Sequence, residues 1–113
     1  MALSLEKIVS QSPPGALSVV RGENPDVGNS GVLSADTVIK RSAGYVYWLT
    51  VADTAALAIE LNDSTDGSGV DRWAIEMPAD GYGHLIFDPP IKFSTGIYLD
   101  VSTATCKVTV GYI

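Results

Sequence analysis

The sequence of 113 residues predicts an all-β fold: a two-sheet antiparallel sandwich, jelly-roll-like, of about eight short strands with an N-terminal arm. Apolar and polar side chains alternate every second residue over most of Tyr45 to Ile113, which is the period of a half-buried strand. Turn-forming clusters interrupt this pattern about every eight to twelve residues, and no segment keeps the 3.6-residue period of a helix. A small barrel is the alternative architecture.

The length and the charge balance limit the domain count and the classes of partner. A chain of 113 residues suits one domain with one core. Thirteen acidic and seven basic residues give a net charge of −6, which opposes binding to a nucleic-acid backbone. Charged residues make up 18% of the chain, against about 25% in ordinary soluble domains. This shortage of charged side chains predicts buried contacts between copies of the chain.

The cysteine content and the apolar runs indicate a compartment. Cys106 is the only cysteine, so an internal disulfide is excluded. The first residues lack the basic region and apolar run of a signal peptide, and no apolar run approaches the roughly 18 residues of a membrane span. We therefore expect a protein that is made and kept in a reducing cytoplasm and has no membrane partner.

A proline pair divides the N-terminal region from the rest of the chain. Residues Met1–Gln11 fit neither a clean strand nor a clean helix, and Pro13 and Pro14 stop regular structure after them. The sequence thus predicts an arm over residues 1–14, with a short helical turn as the alternative, and a single β-sandwich domain over residues 15–113. The arm is expected to dock on a neighbouring subunit through three apolar residues: Leu3, Leu5 and Ile8.

The first half of the domain is predicted to hold five strands. A short strand over Leu17–Arg21 is followed by a surface loop over Gly22–Gly31, which is almost entirely turn-forming. The next strands are Val32–Lys40, Tyr45–Val51, Leu57–Leu61 and Arg72–Met77. Leu57, Ile59 and Leu61 alternate with polar or small residues and should share the inward face, and Arg72–Met77 is the clearest half-buried strand. In the Tyr45–Val51 strand, Tyr45, Tyr47, Leu49 and Val51 should share one face and Val46, Trp48 and Thr50 the other. Because both faces are largely apolar, we expect this strand to be central or covered on both sides.

The second half is predicted to hold three more strands. Pro78–Gly81 forms a turn, and Gly83–Phe87 returns as a strand that Asp88-Pro89-Pro90 closes. Ile97, Leu99 and Val101 should point inward from the next strand. Ser102–Thr105 is predicted to make the last hairpin, before a final strand whose inward face is Cys106, Val108, Val110 and Tyr112.

The loop between Leu61 and Arg72 concentrates oxygen-bearing side chains, which calcium prefers as ligands. Its candidate ligands are Asn62, Asp63, Asp66 and Asp71. The spacing partly follows a calcium-binding EF-hand loop, but the twelfth position, which needs a bidentate carboxylate, is Trp73. A solvated loop that joins two strands is therefore the first interpretation, with calcium as the alternative ligand and no other cofactor expected.

No pattern in the sequence predicts an enzyme. His84 is the only histidine and stands at the start of a strand, where a structural role is expected. Cys106 is expected to fill core space as a small apolar side chain. Glu60, Glu76, Asp88 and Asp100 lie at outward positions of separate strands, and nothing in their spacing selects a catalytic pair.

Aromatic residues at outward strand positions are candidates for contact with partners or sugars. Flat aromatic faces suit pyranose rings, and aromatic residues in strands also serve as core or interface. The aromatic residues that could form such a platform are Tyr45, Tyr47, Trp48, Trp73, Tyr82 and Tyr98. Trp48 and Tyr98 lie opposite the predicted core faces of their strands. They are the candidate interaction residues of the domain.

The last third of the chain resembles small β-sandwich virion proteins of tailed phages, including head decoration proteins and tail or fibre components. The resemblance rests on residues 81–105 (GYGHLIFDPPIKFSTGIYLDVSTAT) and on the closing VTVGYI, and it is a pattern of strands and turns without a catalytic motif. It implies a disulfide-free subunit, often trimeric, that is assembled into a virion in the host cytoplasm.

These observations lead to one expected function and one alternative. The expected function is a non-enzymatic virion protein, a capsid decoration or cement subunit that forms a homotrimer and binds the capsid lattice or another virion protein. The alternative is a carbohydrate-binding module or receptor-binding tip domain of a phage tail or fibre.

Overall fold

The computed structural model describes residues 27–113, and this part of the chain is all-β without a helix. It contains eight strands, in chain order β1 (Gly28–Asn29), β2 (Thr37–Lys40), β3 (Gly44–Asp53), β4 (Leu57–Asp63), β5 (Val70–Met77), β6 (Gly81–Phe93), β7 (Ile97–Val101) and β8 (Lys107–Tyr112). The predicted arm over residues 1–14 and the predicted strand Leu17–Arg21 lie outside the described residues.

The strands form two four-stranded antiparallel sheets, which confirms the predicted sandwich. Sheet A has the order β1-β8-β3-β6, and sheet B has the order β2-β7-β4-β5. The pairing is nested, because β1 pairs with β8, β2 with β7, β3 with β6 and β4 with β5. A long antiparallel hairpin that is rolled into two sheets gives this order, which is the arrangement of an eight-stranded jelly roll.

One apolar core fills the space between the sheets. Its fully buried members come from inward positions of β3, β4, β7 and β8, together with Phe93 at the end of β6 and Cys106 before β8. The predicted inward faces are confirmed for Leu57, Ile59 and Leu61, for Ile97 and Leu99, and for Cys106, Val108 and Val110. These faces are buried because period-2 alternation places their side chains on the inner side of each sheet.

The two faces of β3 differ from the prediction. The register of β3 shifts between Val46 and Trp48 against both neighbouring strands, so one extra residue changes which side chains point inward. Val46 is therefore buried with Leu49, whereas Tyr45 is exposed. The strand is central, between β8 and β6, as predicted. Its outer side is not covered within the described residues, since Thr50 is exposed there.

The prolines do not end β6, contrary to the prediction. The strand continues through Pro89 and Pro90 to Phe93. In its pairing with β3, Ile86 lies opposite Trp48 and Ile91 lies opposite Val46, so five residues of β6 advance against two of β3. Residues 87–90 thus bulge out of the ladder. Since β6 pairs only with β3 and is an edge strand, the missing proline N–H groups remove no bond from the centre of a sheet.

Three connections or strands also differ from the prediction. Ser102–Thr105 is not a hairpin, because it leads from β7 in sheet B to β8 in sheet A. The predicted strand Arg72–Met77 is confirmed as part of β5, an edge strand on which Trp73 is half-buried and Ile75 is exposed. The predicted loop Gly22–Gly31 contains β1, and the predicted strand Val32–Lys40 is reduced to β2 with one isolated bridge at Leu33.

Candidate functional site

Two buried aspartates, at the ends of β3 and β4, fix connections that cross between the sheets. Asp63 ends β4 and accepts backbone N–H hydrogen bonds from Ser94, Thr95 and Gly96 at 2.8–3.3 Å, all in the β6–β7 connection. Arg72 adds an ion pair with 3.1 Å between Nη2 and Oδ2. Burial acts to raise the pKa of Asp63, but these hydrogen bonds outweigh it and hold the pKa below its usual value.

Asp53 has the same role at the end of β3. Its carboxylate accepts hydrogen bonds from the hydroxyls of Thr103 and Thr105 at 2.5 and 2.6 Å, and from the Ala55 N–H at 2.9 Å. The bond from Thr103, then that from Thr105, lowers the pKa of Asp53. The sequence carried a signal for this residue, because Asp53 continues the inward series of Leu49 and Val51 at a position where an apolar residue is expected.

The loop proposed for calcium uses its oxygen atoms in hydrogen bonds within the protein. Asn62 is buried, donates to the Gly69 carbonyl and to Asp71 Oδ1, and accepts from Ser64 Oγ and the Gly69 N–H. Asp66 Oδ1 accepts from the N–H and the hydroxyl of Ser68. Asp63 points to the β6–β7 connection instead. The structure therefore does not bring Asn62, Asp63, Asp66 and Asp71 together around one point, although the loop does join two strands as predicted.

The outer face of sheet B carries a group of carboxylates. Glu60 in β4 lies directly opposite Asp100 in β7. The pKa of Glu60 is raised, mainly by charge repulsion from Asp71 in β5, and to a smaller extent by burial and by the charge of Asp100. Burial, and then the charge of Asp36, raises the pKa of Asp100. Asp36 itself accepts the Val101 N–H. This face is defined as the acidic face, with Asp36, Glu60, Asp71 and Asp100 as its members.

The outer face of sheet A has a different character. Its outward positions lie opposite one another in the ladder, where Trp48 pairs with Ile86 and Gly111, Thr50 with His84 and Thr109, and Ala52 with Tyr82 and Lys107. Among the positions just named there is no Asp or Glu, and Lys107 is the one formal charge; Asp88 and Lys92 are exposed further along β6. Ile86 is 73% exposed. This surface is defined as the uncharged face, with Trp48, Thr50, His84, Ile86, Thr109 and Gly111 as its members.

The Trp48 ring forms the floor of the uncharged face. A Cβ on Gly111 would lie only 2.1 Å from Trp48 Cε2 and Nε1, so the ring lies flat across the β8 backbone. Trp48 and His84 have ring centroids 5.8 Å apart, and His84 Nδ1 is 2.7 Å from Thr50 Oγ1. The single histidine thus has a polar partner on an open sheet surface.

The candidate interaction residues of the sequence do not form one platform. Trp48 lies on the outer face of sheet A, and Tyr98 lies on the outer face of sheet B. The Tyr98 ring covers Gly67, where an added Cβ would be 3.0 Å from Tyr98 Cε1, and it is half-buried against the loop after β4. Leu3, Leu5 and Ile8 lie outside the described residues.

Three chain connections form a pocket of about 370 Å³ at one end of the sandwich. Its wall comes from the end of β3, the β5–β6 turn and the start of β8, and includes Thr54, Asp80, Tyr82, Thr105 and Lys107. Tyr82 is 85% exposed. In the sequence, Tyr82 was one of several aromatic candidates, and nothing distinguished it from the others. It shares a strand face with His84 and Ile86, and this mixture of side chains predicts neither a buried nor an exposed face.

The remaining reactive side chain is Cys106, which is buried in the core. Burial in apolar surroundings raises the pKa of its thiol, and its Sγ lies 3.6 Å from the Thr103 carbonyl. Residues 27–113 contain no group of three or more His, Cys, Asp or Glu side chains that could hold a metal ion. In the same range, no helix is long and apolar enough to cross a membrane.

Comparisons of the chain with protein-family models, with curated proteins and with solved structures found no match.

Proposed function

We propose that this chain is a non-enzymatic structural protein of a phage virion, a capsid decoration subunit that associates with copies of itself and binds the capsid lattice. The proposal starts from the resemblance of residues 81–105 to virion proteins. The nested strand order supports it, because eight-stranded jelly rolls recur in viral capsid proteins. Since one fold serves many functions, the fold alone does not carry the proposal.

The observation that carries the proposal is the uncharged face. A chain with a net charge of −6 repels its own copies, and any contact between copies is favoured where carboxylates are absent. The uncharged face offers such a surface, with Ile86 standing 73% exposed beside the Trp48 ring. Burial of exposed apolar side chains is the main driving force of association between subunits. We therefore assign self-association to this face.

The N-terminal arm is the second part of the proposal. Its apolar residues, Leu3, Leu5 and Ile8, precede the domain in the sequence, and the first described strand, β1, lies at the edge of sheet A. An extended arm can add main-chain hydrogen bonds to the open edge of a sheet in a neighbouring subunit. The arm would then attach the subunit to the capsid, while the uncharged face joins the copies into the homotrimer that the resemblance implies.

The experiment is size-exclusion chromatography with light scattering on the full chain and on two variants. Ile86→Asp places a charge on the uncharged face and should reduce the oligomer to a monomer with an unchanged circular dichroism spectrum. Val70→Asp is the matched control, because Val70 in β5 is 65% exposed and lies in sheet B. It should leave the oligomer intact. Added salt should strengthen the association of the native chain by screening its net charge.

Two outcomes would contradict the proposal. A native chain that is monomeric at all accessible concentrations would remove self-association. An Ile86→Asp variant that keeps the native mass would remove the uncharged face as the contact.

A further inference from the structure

We infer that the pocket beside Tyr82 is a binding site for a neutral hexose unit of a glycan. This site does not depend on the proposed virion role. It lies at the end of the sandwich where the β3–β4 connection, the β5–β6 turn and the β7–β8 connection meet. Its volume of about 370 Å³ is at the lower end of the range of small-molecule sites, which favours one or two sugar units over a larger ligand.

The pocket is held in shape by hydrogen bonds below its surface. Asp53 accepts hydrogen bonds from Thr103, Thr105 and the Ala55 N–H, and so ties the β7–β8 connection to the β3–β4 connection. The Asp80 N–H donates to the Thr54 carbonyl at 3.2 Å and ties the β5–β6 turn to the same place. A ligand would therefore meet a wall that is already ordered, which lowers the entropy cost of binding.

The polar groups on the wall suit hydroxyls. Asp80 and Lys107 both line the pocket, and neither side chain is hydrogen-bonded or ion-paired to another side chain among residues 27–113. A carboxylate accepts and an ammonium donates, whereas a hydroxyl can do both, so sugar hydroxyls can bond to either group. With two carboxylates, of Asp53 and Asp80, against the one ammonium of Lys107, the lining has a net negative charge, which disfavours an anionic ligand.

Tyr82 supplies the apolar partner. Its ring is 85% exposed at the rim of the pocket, where a side chain of this size gains nothing from burial in the described domain. The C–H side of a pyranose ring is apolar and packs against the negative face of an aromatic ring. An exposed tyrosine next to a hydroxyl-binding acceptor and donor is the combination that distinguishes a sugar from a purely apolar ligand.

The experiment is a titration of the ¹⁵N-labelled full chain with glucose, galactose, mannose, lactose and glucuronate, followed by amide chemical shifts. At least one neutral sugar should shift amides of the pocket, such as those of Gly81, Tyr82 and Lys107, and glucuronate should bind more weakly than glucose. Tyr82→Ala and Asp80→Asn should each weaken binding at least tenfold. Asparagine tolerates the left-handed backbone of Asp80, whose φ is 62°, so this change removes the charge without straining the turn.

The controls separate this site from the assembly surface. Tyr45→Ala removes an exposed tyrosine at the opposite end of β3 and should leave the sugar affinity within twofold. Ile86→Asp should also leave it within twofold, whatever it does to the oligomer. The inference is overturned if no neutral sugar shifts the pocket amides, if glucuronate binds best, or if Tyr82→Ala and Asp80→Asn both retain the native affinity.

Discussion

Sheet A and sheet B pack similar apolar faces against each other, but their outer faces differ in charge. The outer face of sheet B carries four interacting carboxylates, on Asp36, Glu60, Asp71 and Asp100. The paired outward positions of sheet A carry none, and present Ile86 and the Trp48 ring instead. The six members of the uncharged face therefore lie apart from the four carboxylates of the acidic face. This difference teaches that an acidic chain can keep a patch of one sheet free of carboxylates and suitable for contact with its own copies.

The largest expected effect tests how the acidic side is anchored. Asp63→Ala removes the acceptor of three backbone N–H groups in the β6–β7 connection and of Arg72, and leaves buried donors without a partner. We expect a loss of about 3 kcal/mol in the free energy of unfolding. Urea denaturation monitored by circular dichroism measures it.

The control for this change is Asp66→Ala in the neighbouring loop. Asp66 is exposed and bonds only locally, to Ser68, so its loss should cost less than about 1 kcal/mol. Equal losses in the two variants would show that the β6–β7 connection does not depend on Asp63.

The second effect tests whether the uncharged face is tightly packed. Gly111→Ala places a methyl group where the Trp48 ring now lies, with 2.1 Å between the new Cβ and the ring. The ring must move out, which should cost about 2 kcal/mol in the free energy of unfolding and shift tryptophan emission to longer wavelength. Gly83→Ala in the neighbouring β6 strand is the control, because no heavy atom lies within 4 Å of its added Cβ. An unchanged emission spectrum in Gly111→Ala would contradict the packed arrangement.

The smallest effect tests the acidic face by pH. The charge of Asp71, with burial and Asp100, raises the pKa of Glu60, so the folded protein binds this proton more tightly than the unfolded chain. Ionisation of Glu60 therefore removes stability as the pH rises through its pKa. Glu60→Gln should raise the free energy of unfolding by about 0.5 kcal/mol at pH 7, and this gain should shrink as the pH falls below the ordinary pKa of a glutamate, because Glu60 then becomes protonated in both states.

The measurement for Glu60→Gln is thermal denaturation at pH 7 and at pH 4. Glu76→Gln is its control, since Glu76 is an outward carboxylate of β5 that does not contribute to the raised pKa of Glu60. A destabilised Glu60→Gln variant at pH 7 would mean that the carboxylates of this face do not repel one another in the folded protein.

The sequence predicted the core strands well and the surfaces poorly. Period-2 alternation was enough to place Leu57, Ile59 and Leu61 inward, because burial of one strand face acts over every second residue. Alternation failed at Val46, where a bulge reverses the two faces of β3. The expectation that prolines end a strand failed at Pro89 and Pro90, because an edge strand accommodates them. Neither a bulge nor an edge position can be recognised from the local hydrophobic pattern, since both depend on which strand lies beside the segment.

The candidate sites show the same division. Residues Asn62 to Asp71 could be recognised as a loop from composition, but the sequence did not reveal that Asp63 leaves it to bind the β6–β7 connection, about 30 residues further along the chain. Trp48 and Tyr98 were both selected as outward aromatic residues, yet they lie on opposite sides of the sandwich. Tyr82 and Ile86 became candidates only when their exposure was known.

By itself, the sequence determined that the chain forms short antiparallel strands around one disulfide-free core, because alternation and turn chemistry act over a few neighbouring residues. The tertiary structure decided the nested strand order, the separation of an acidic face from an uncharged one, and the meeting of three connections at the Tyr82 pocket. These features depend on pairs such as β1 with β8, whose residues are distant along the chain and meet only when the sheets close around the core.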